Sequence, residues 1–238
     1  MPKSAPQLTR ESTPESMRLL AALQHGDSFF PSGSVSFSWG LESLCAEGLV
    51  TDEAEVRQFV EGQLAHRWAT CDRPALIATH QAGPDLERVA GIDAEVESLA
   101  LPQGLRVGSR RAGGALLNAH ERLETPQAGE YRQLMKSGAA CGHLPVVQGL
   151  VWRSTGLSQD EAAAVSGHTL CVGLLGAALR LGVIGHVAGQ RILTGLRPDI
   201  ARLLALPVPP PGDFSAYTPA ADIAVMRHET ADMRLFAN

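Results

Sequence analysis

SQDEAAAVSGHTLCVGLLGAALRL, residues 158–181, decides the fold. Ser158, followed three residues later by Glu161, has the spacing of a capping box, in which each side chain satisfies the other's orphan backbone amide. From Ala162 to Leu179 there is no Asp, Glu, Lys or Arg, and Arg180 follows at once. That run is short for a membrane span, which needs about 20 mostly apolar residues, and Ser166, His168 and Thr169 interrupt it. A buried core helix is the expectation.

Outward from that helix the signals stay helical. Ser16 is placed to cap a first helix, MRLLAALQ, that stops at Gly26. A second carries Phe37, Leu41 and Leu44 to Gly48, and a third runs from an N-cap at Thr51 with Val56, Phe59, Val60 and Leu64 as its stripe. Pro74 and Pro84 punctuate the next stretch, and DLERVAGIDAEVESLAL follows until Pro102. In QGLRVGSRRAGGALLNAHERL (103–123), Gly104, Gly108 and Ala112 recur every fourth residue, a small face that admits another helix. Residues 130–140 form a further helix, and Pro145 opens the next at a favoured first-turn position. After Gly182 and Gly185 the pattern runs to Leu196, and Pro198 opens a final helix to about Leu206. Alternating strand patterns are nearly absent. The expected fold is all-α: a single-domain helical bundle over residues 16–206, preceded by a flexible arm (1–15). It is followed by a proline-rich break and extended C-terminal tail (207–238) that holds at most a short helix.

Composition narrows the function classes. The 238 residues are 45% hydrophobic and 19% charged with a net charge of −5, which suits a folded domain and lacks the basic footprint of a nucleic-acid binder. Eighteen of the twenty basic residues are Arg, suited to forked polar contacts. The N-terminal residues lack the apolar stretch of a signal peptide, and Cys45, Cys71, Cys141 and Cys171 are dispersed without CxxC spacing. Reduced thiols in a cytoplasmic protein are expected. No GxxxxGK[ST] loop is present, since Lys136-Ser137 follows Met135 rather than Gly. Gly33-Ser34-Val35-Ser36-Phe37 lacks the second Gly and the strand of a nucleophile elbow. Cys141 and His143 are the one close pair of soft metal donors, with His120, His168, His186 and His228 scattered elsewhere. A metal site needs more convergent ligands than that pair, so Cys141 is expected in the core and His143 at a helix end.

Two segments are left over. Phe29 and Phe30 sit in a Gly-, Pro- and Ser-rich loop, and Ile223, Met226, Leu235 and Phe236 lie beyond the proline-rich break. Each set either tucks into the bundle or forms a binding surface.

Four blocks, in order, resemble the urease accessory protein UreF family. The first is DSFFPSGSVSFSWGLE (27–42), with Ser34-Val35 where Gly-Phe is usual. The second is GHLPVVQG (142–149). The third is Arg180-Leu181-Gly182 with Gly189-Gln190-Arg191. The fourth spans Asp222 to Phe236, with Met233 where Ser is usual. The resemblance implies a non-catalytic, homodimeric adaptor. It would bind UreD (also called UreH), recruit the GTPase UreG and act on urease apoprotein. It would hold no stable cofactor; nickel and GTP would act through partner proteins. Carried onto this chain, the partner-binding candidates are Phe30, Pro31, Gly33, Phe37, Gly40 and Glu42. From the later blocks come Arg180, Gln190, Arg191, Ile223, Met226, Arg227, His228, Glu229, Arg234, Leu235 and Phe236. A helical metal-binding protein or enzyme centred on Cys141, His143 and another histidine is the competing reading. A membrane-surface protein is a third, disfavoured by the negative charge.

Overall fold

The capping box forms as expected. In a computed structural model describing residues 14–31, 37–228 and 235–236, Ser158 Oγ accepts from the Glu161 amide at 3.2 Å, and Glu161 Oε2 accepts from the Ser158 amide at 2.7 Å. The helix it starts runs from Gln159 to Arg180. Its composition and length would suit a membrane span, yet it lies inside the protein. Ala162, Ala163, Cys171, Leu174, Ala177 and Ala178 are fully buried, and Gly167 lets the Trp68 indole approach where a Cβ would lie 2.8 Å from the ring.

All regular structure among the described residues is helical. The helices are α1 (Pro14–Gly26), α2 (Leu41–Ala46), α3 (Glu53–Gln63), α4 (Arg73–Ala82), α5 (Leu86–Leu99) and α6 (Gln103–Arg122). They continue with α7 (Ala128–Ser137), α8 (Leu144–Ser154), α9 (Gln159–Arg180), α10 (His186–Leu204) and α11 (Pro219–His228). A π-helical stretch, Leu64–Asp72, joins α3 to α4. Two apolar clusters share α9. One gathers Leu76, Val89, Ile92, Leu117, Tyr131, Val147 and Leu150 against its first turns. The other gathers Leu41, Val60, Trp68, Leu196 and Phe236 against its later turns.

Several boundaries differ from the sequence reading, each for a local reason. α1 begins at Pro14, where a proline needs no amide partner, rather than at a Ser16 cap. α2 starts only at Leu41, because Trp39 and Gly40 are left-handed (φ 56° and 85°) and cut Phe37 off from the helix. α3 is capped by Asp52, whose carboxylate accepts from Ala54 and Glu55 amides at 2.9 Å. Thr51 instead donates its amide and hydroxyl to Glu55. Pro74 does not stop the chain, since it falls in the first turn of α4. Pro198 lies inside α10 rather than opening a new helix; Leu196, Ile200 and Leu203 on either side are buried in one cluster, which holds both halves together.

The expected small face on α6 is filled differently. Gly108 meets the Phe37 ring, where a Cβ would come within 2.9 Å of Cδ1. The close helix approach runs instead through Gly113, whose missing side chain admits the Gly142–Leu144 backbone at the start of α8. On its other side α8 meets α4, and Gly149 leaves room for the Leu76 carbonyl.

The proline-rich break is stitched to the bundle along the π-helical stretch. The Ser215 amide donates to the Thr70 carbonyl at 3.0 Å and the Tyr217 amide to the His66 carbonyl at 2.9 Å. Thr70 Oγ1 donates to the Ser215 carbonyl at 2.6 Å, and Phe214 is buried. Upstream, Arg73 closes the end of α10: its guanidinium donates to the carbonyls of Leu203, Leu204, Leu206 and Pro207 at 2.7–3.1 Å.

Candidate functional site

Three of the four sequence blocks meet where the C-terminal segment returns. Gly40 has two reasons to lack a side chain: its φ is +85°, and a Cβ would lie 2.7 Å from the Ala221 carbonyl oxygen. Two residues on, in the first turn of α2, the Glu42 carboxylate accepts from the Leu235 and Phe236 amides at 2.6 and 3.2 Å. The Arg180 guanidinium lies over the Phe236 ring, 4.4 Å from its centroid, and burial lowers the Arg180 pKa. Such a cation–π contact contributes about 0.5–2 kcal/mol. Arg227 pairs with Glu47 at 2.8 Å. Ala221, Ala224, Val225 and Phe236 face the core, while Ile223, Met226 and Leu235 remain exposed. Thus the apolar tail docks on its own bundle and still presents an apolar outer edge.

Arg180 also borders a groove of about 440 Å³ between α9 and α10. Asp27 and Ser28 of the first block and Gln190 of the third line it, over a floor in which Gly173, Gly176 and Gly189 supply no side chains. α1, which packs on α9, leaves Met17, Leu19, Leu20 and Leu23 exposed, and Phe29 beyond it is almost wholly exposed at 92%. Singly exposed apolar residues are ordinary, but a contiguous set marks a docking surface.

Some candidates lie elsewhere. Phe30, Phe37 and Gly40 belong to the interior rather than to a docking surface; they shape the surface by fixing the loop and tail beneath it. Pro31 is exposed. Arg191 is exposed and pairs with Glu53 at 3.0 Å, outside the groove. The backbone of His228 ends α11. Gly33, Glu229 and Arg234 lie outside the described residues, as does residue range 1–13 of the expected arm.

The second block forms a different corner. Asp93 on α5 is fully buried and accepts from three consecutive amides, those of Cys141 (2.6 Å), Gly142 (2.6 Å) and His143 (3.0 Å). The Tyr131 hydroxyl donates to the same carboxylate at 2.8 Å. His143 takes the N-cap position of α8, at a helix end as expected, but its side chain makes no cap hydrogen bond; its Nε2 lies instead 2.6 Å from Glu97 Oε2. Glu97 also receives Arg110, with Arg106 Nε at 3.7 Å. Burial alone would raise the Glu97 pKa, but hydrogen bonds from Arg110 and His143 outweigh it and hold the carboxyl below its usual range. Cys141 is half-buried rather than a core thiol; burial, then Asp93 and Glu97, push its pKa up. Asp93 and Glu97 escaped the sequence reading. Their signal was two acids four residues apart in a helix with Val89, Ile92 and Val96 as its inward stripe.

A buried aromatic cluster underlies the loop. His25 stacks at 4.9 Å from Phe30 and 5.1 Å from His120, with Trp152 at 5.6 Å. Burial lowers both His25 and His120 to about 4, and His25 adds to the lowering at His120. The native state therefore keeps neutral two groups that the unfolded chain protonates below about 6.5. Their contribution is complete above that pH and is lost as pH falls toward about 4. Urea midpoints should fall across this window, and less so for His25→Leu; equal slopes for the variant and the parent would exclude this cause.

The sequence matches the UreF family over residues 50–197. It is 34% identical over 228 residues to the urease accessory protein UreF of Trichodesmium erythraeum (strain IMS101), covering 92% of this chain and 96% of that protein. It is 30% identical over 225 residues to the urease accessory protein UreF of Yersinia pseudotuberculosis serotype IB (strain PB1/+), covering 92% and 98%. The Yersinia pestis protein of the same description is also 30% identical over 225 residues.

Proposed function

Because the chain belongs to the UreF family of urease accessory proteins, we propose that it serves urease maturation as an adaptor docking UreD, and with it the GTPase UreG, onto urease apoprotein. It is an accessory protein rather than an enzyme. In this reading it acts in the cytoplasm as a homodimer, nickel reaches urease through the assembled complex, and UreG supplies GTP hydrolysis.

The observation that supports the reading is the convergence at the tail. Glu42, Arg180 and Phe236, from three separate blocks, hold one surface together, and Ile223, Met226 and Leu235 face outward from it. The tail is the proposed UreD surface; the neighbouring α9–α10 groove and the exposed side of α1 are the proposed faces for the second copy and UreG. Docking of preformed apolar residues avoids the ordering cost that a free tail would incur.

The test is co-expression with urease and its other accessory proteins. Glu42→Ala removes the acceptor for the Leu235 and Phe236 amides and should weaken UreD co-purification about tenfold, roughly 1.4 kcal/mol. Deleting residues 222–238 should abolish it. Unchanged co-purification after the deletion would sink the tail assignment, and urease that activates equally without this chain would sink the function.

A further inference from the structure

The corner built by Asp93 brings together three donor groups that the tail surface does not use. Glu97, Cys141 and His143 each present a ligand atom, and these atoms lie within 4.8 Å of one another. We propose that they form an exchangeable site for one borderline transition-metal ion, Zn²⁺ or Ni²⁺, with Arg110 as the counter-ion that the metal displaces from Glu97.

The donor set carries the choice of metal. A thiolate, an imidazole and a carboxylate suit Zn²⁺ or Ni²⁺ and disfavour Mg²⁺ or Ca²⁺, which take oxygen ligands. Zinc bonds of about 2.0–2.3 Å place the donors of a tetrahedral site roughly 3.3–3.7 Å apart, so the widest separation in the group must close by about 1 Å and the 2.6 Å His143–Glu97 pair must open by about as much. Its mobile members can supply that movement. Cys141 is only half-buried, and the Arg110 side chain is 41% exposed, free to swing into solvent.

The remaining frame is fixed. Asp93 grips the amides of Cys141, Gly142 and His143, so the thiol and the imidazole project from one immobilised turn. Gly142 at φ +80° makes that turn possible. His143 is fully buried, and its Nδ1 has no hydrogen-bond partner, so nothing but Glu97 competes for the ring. A carboxylate behind the ligand turn is the outer-shell support that metal sites use. On binding, the Cys141 S–H proton passes to solvent, the sulfur lone pair bonds the metal, and water completes the coordination. Three protein ligands and a competing guanidinium make this a site of exchange rather than permanent retention. The site stands independently of the docking proposed above.

The full chain would be titrated with Zn²⁺ by calorimetry and with Ni²⁺ by absorbance. One ion per chain is expected, with a thiolate-to-nickel charge-transfer band. Cys141→Ser should remove the band and weaken binding at least tenfold. Arg110→Met should tighten binding several-fold, a gain that misfolding cannot mimic. Binding that persists in Cys141→Ser, a missing band in the parent protein, or unchanged affinity in Arg110→Met would each overturn the proposal.

Discussion

Asp93→Ala is expected to lower the free energy of unfolding by about 3–5 kcal/mol, since a buried donor left without its acceptor costs roughly 1–3 kcal/mol. Four donors lose their acceptor at once: the amides of Cys141, Gly142 and His143 and the Tyr131 hydroxyl. Water can reach the half-buried Cys141 end and repair part of the loss, which keeps the total below a simple sum. Asp93→Asn is expected to be damaging too, because its NH₂ group would face donors. Urea unfolding at neutral pH measures the effect. A shift under about 1 kcal/mol for Asp93→Ala would show that the turn finds other partners.

Arg73→Met should lower stability by about 2–4 kcal/mol, within the range for charge-assisted hydrogen bonds and orphaned acceptors. Arg73 is 1% exposed, and its guanidinium serves four carbonyls at the end of α10. Two of them, on Leu206 and Pro207, belong to exposed residues and can turn to water, so the damage concentrates at Leu203 and Leu204. Lysine has a single ammonium and cannot reproduce the fork; Arg73→Lys should recover less than half of the loss. Hydrogen exchange should localise the change to the last turn of α10. Full protection there in Arg73→Met would falsify the capping role.

These two residues also show where sequence reading stops. Arg73 sits beside Pro74 in what reads as a helix break, and its partners lie about 130 positions away. Asp93 reads as one more acid on an amphipathic helix, yet it is the acceptor for a turn 48 to 50 positions later. By contrast, Ser158 and Glu161 are three residues apart, and their reciprocal bonds form as read. Phe29 and Phe30 were open between core and surface; the structure splits them, burying Phe30 against His25 and leaving Phe29 exposed, while Phe37, read as part of the second helix, packs before it against Gly108.

The sequence by itself determined the all-helical class, the buried α9, the Pro145 helix start and the four UreF-like blocks, because each rests on spacing within a few residues. Only the tertiary structure decided that α10 runs through Pro198, that the Glu42 carboxylate holds the tail beneath Arg180, and that Glu97 joins Cys141 and His143. The reason is the same for each. A helix fixes which residues share a face at three- and four-residue intervals, but which faces meet depends on how the whole core closes. A carboxylate finds its partners only after that closure has brought distant backbone to it.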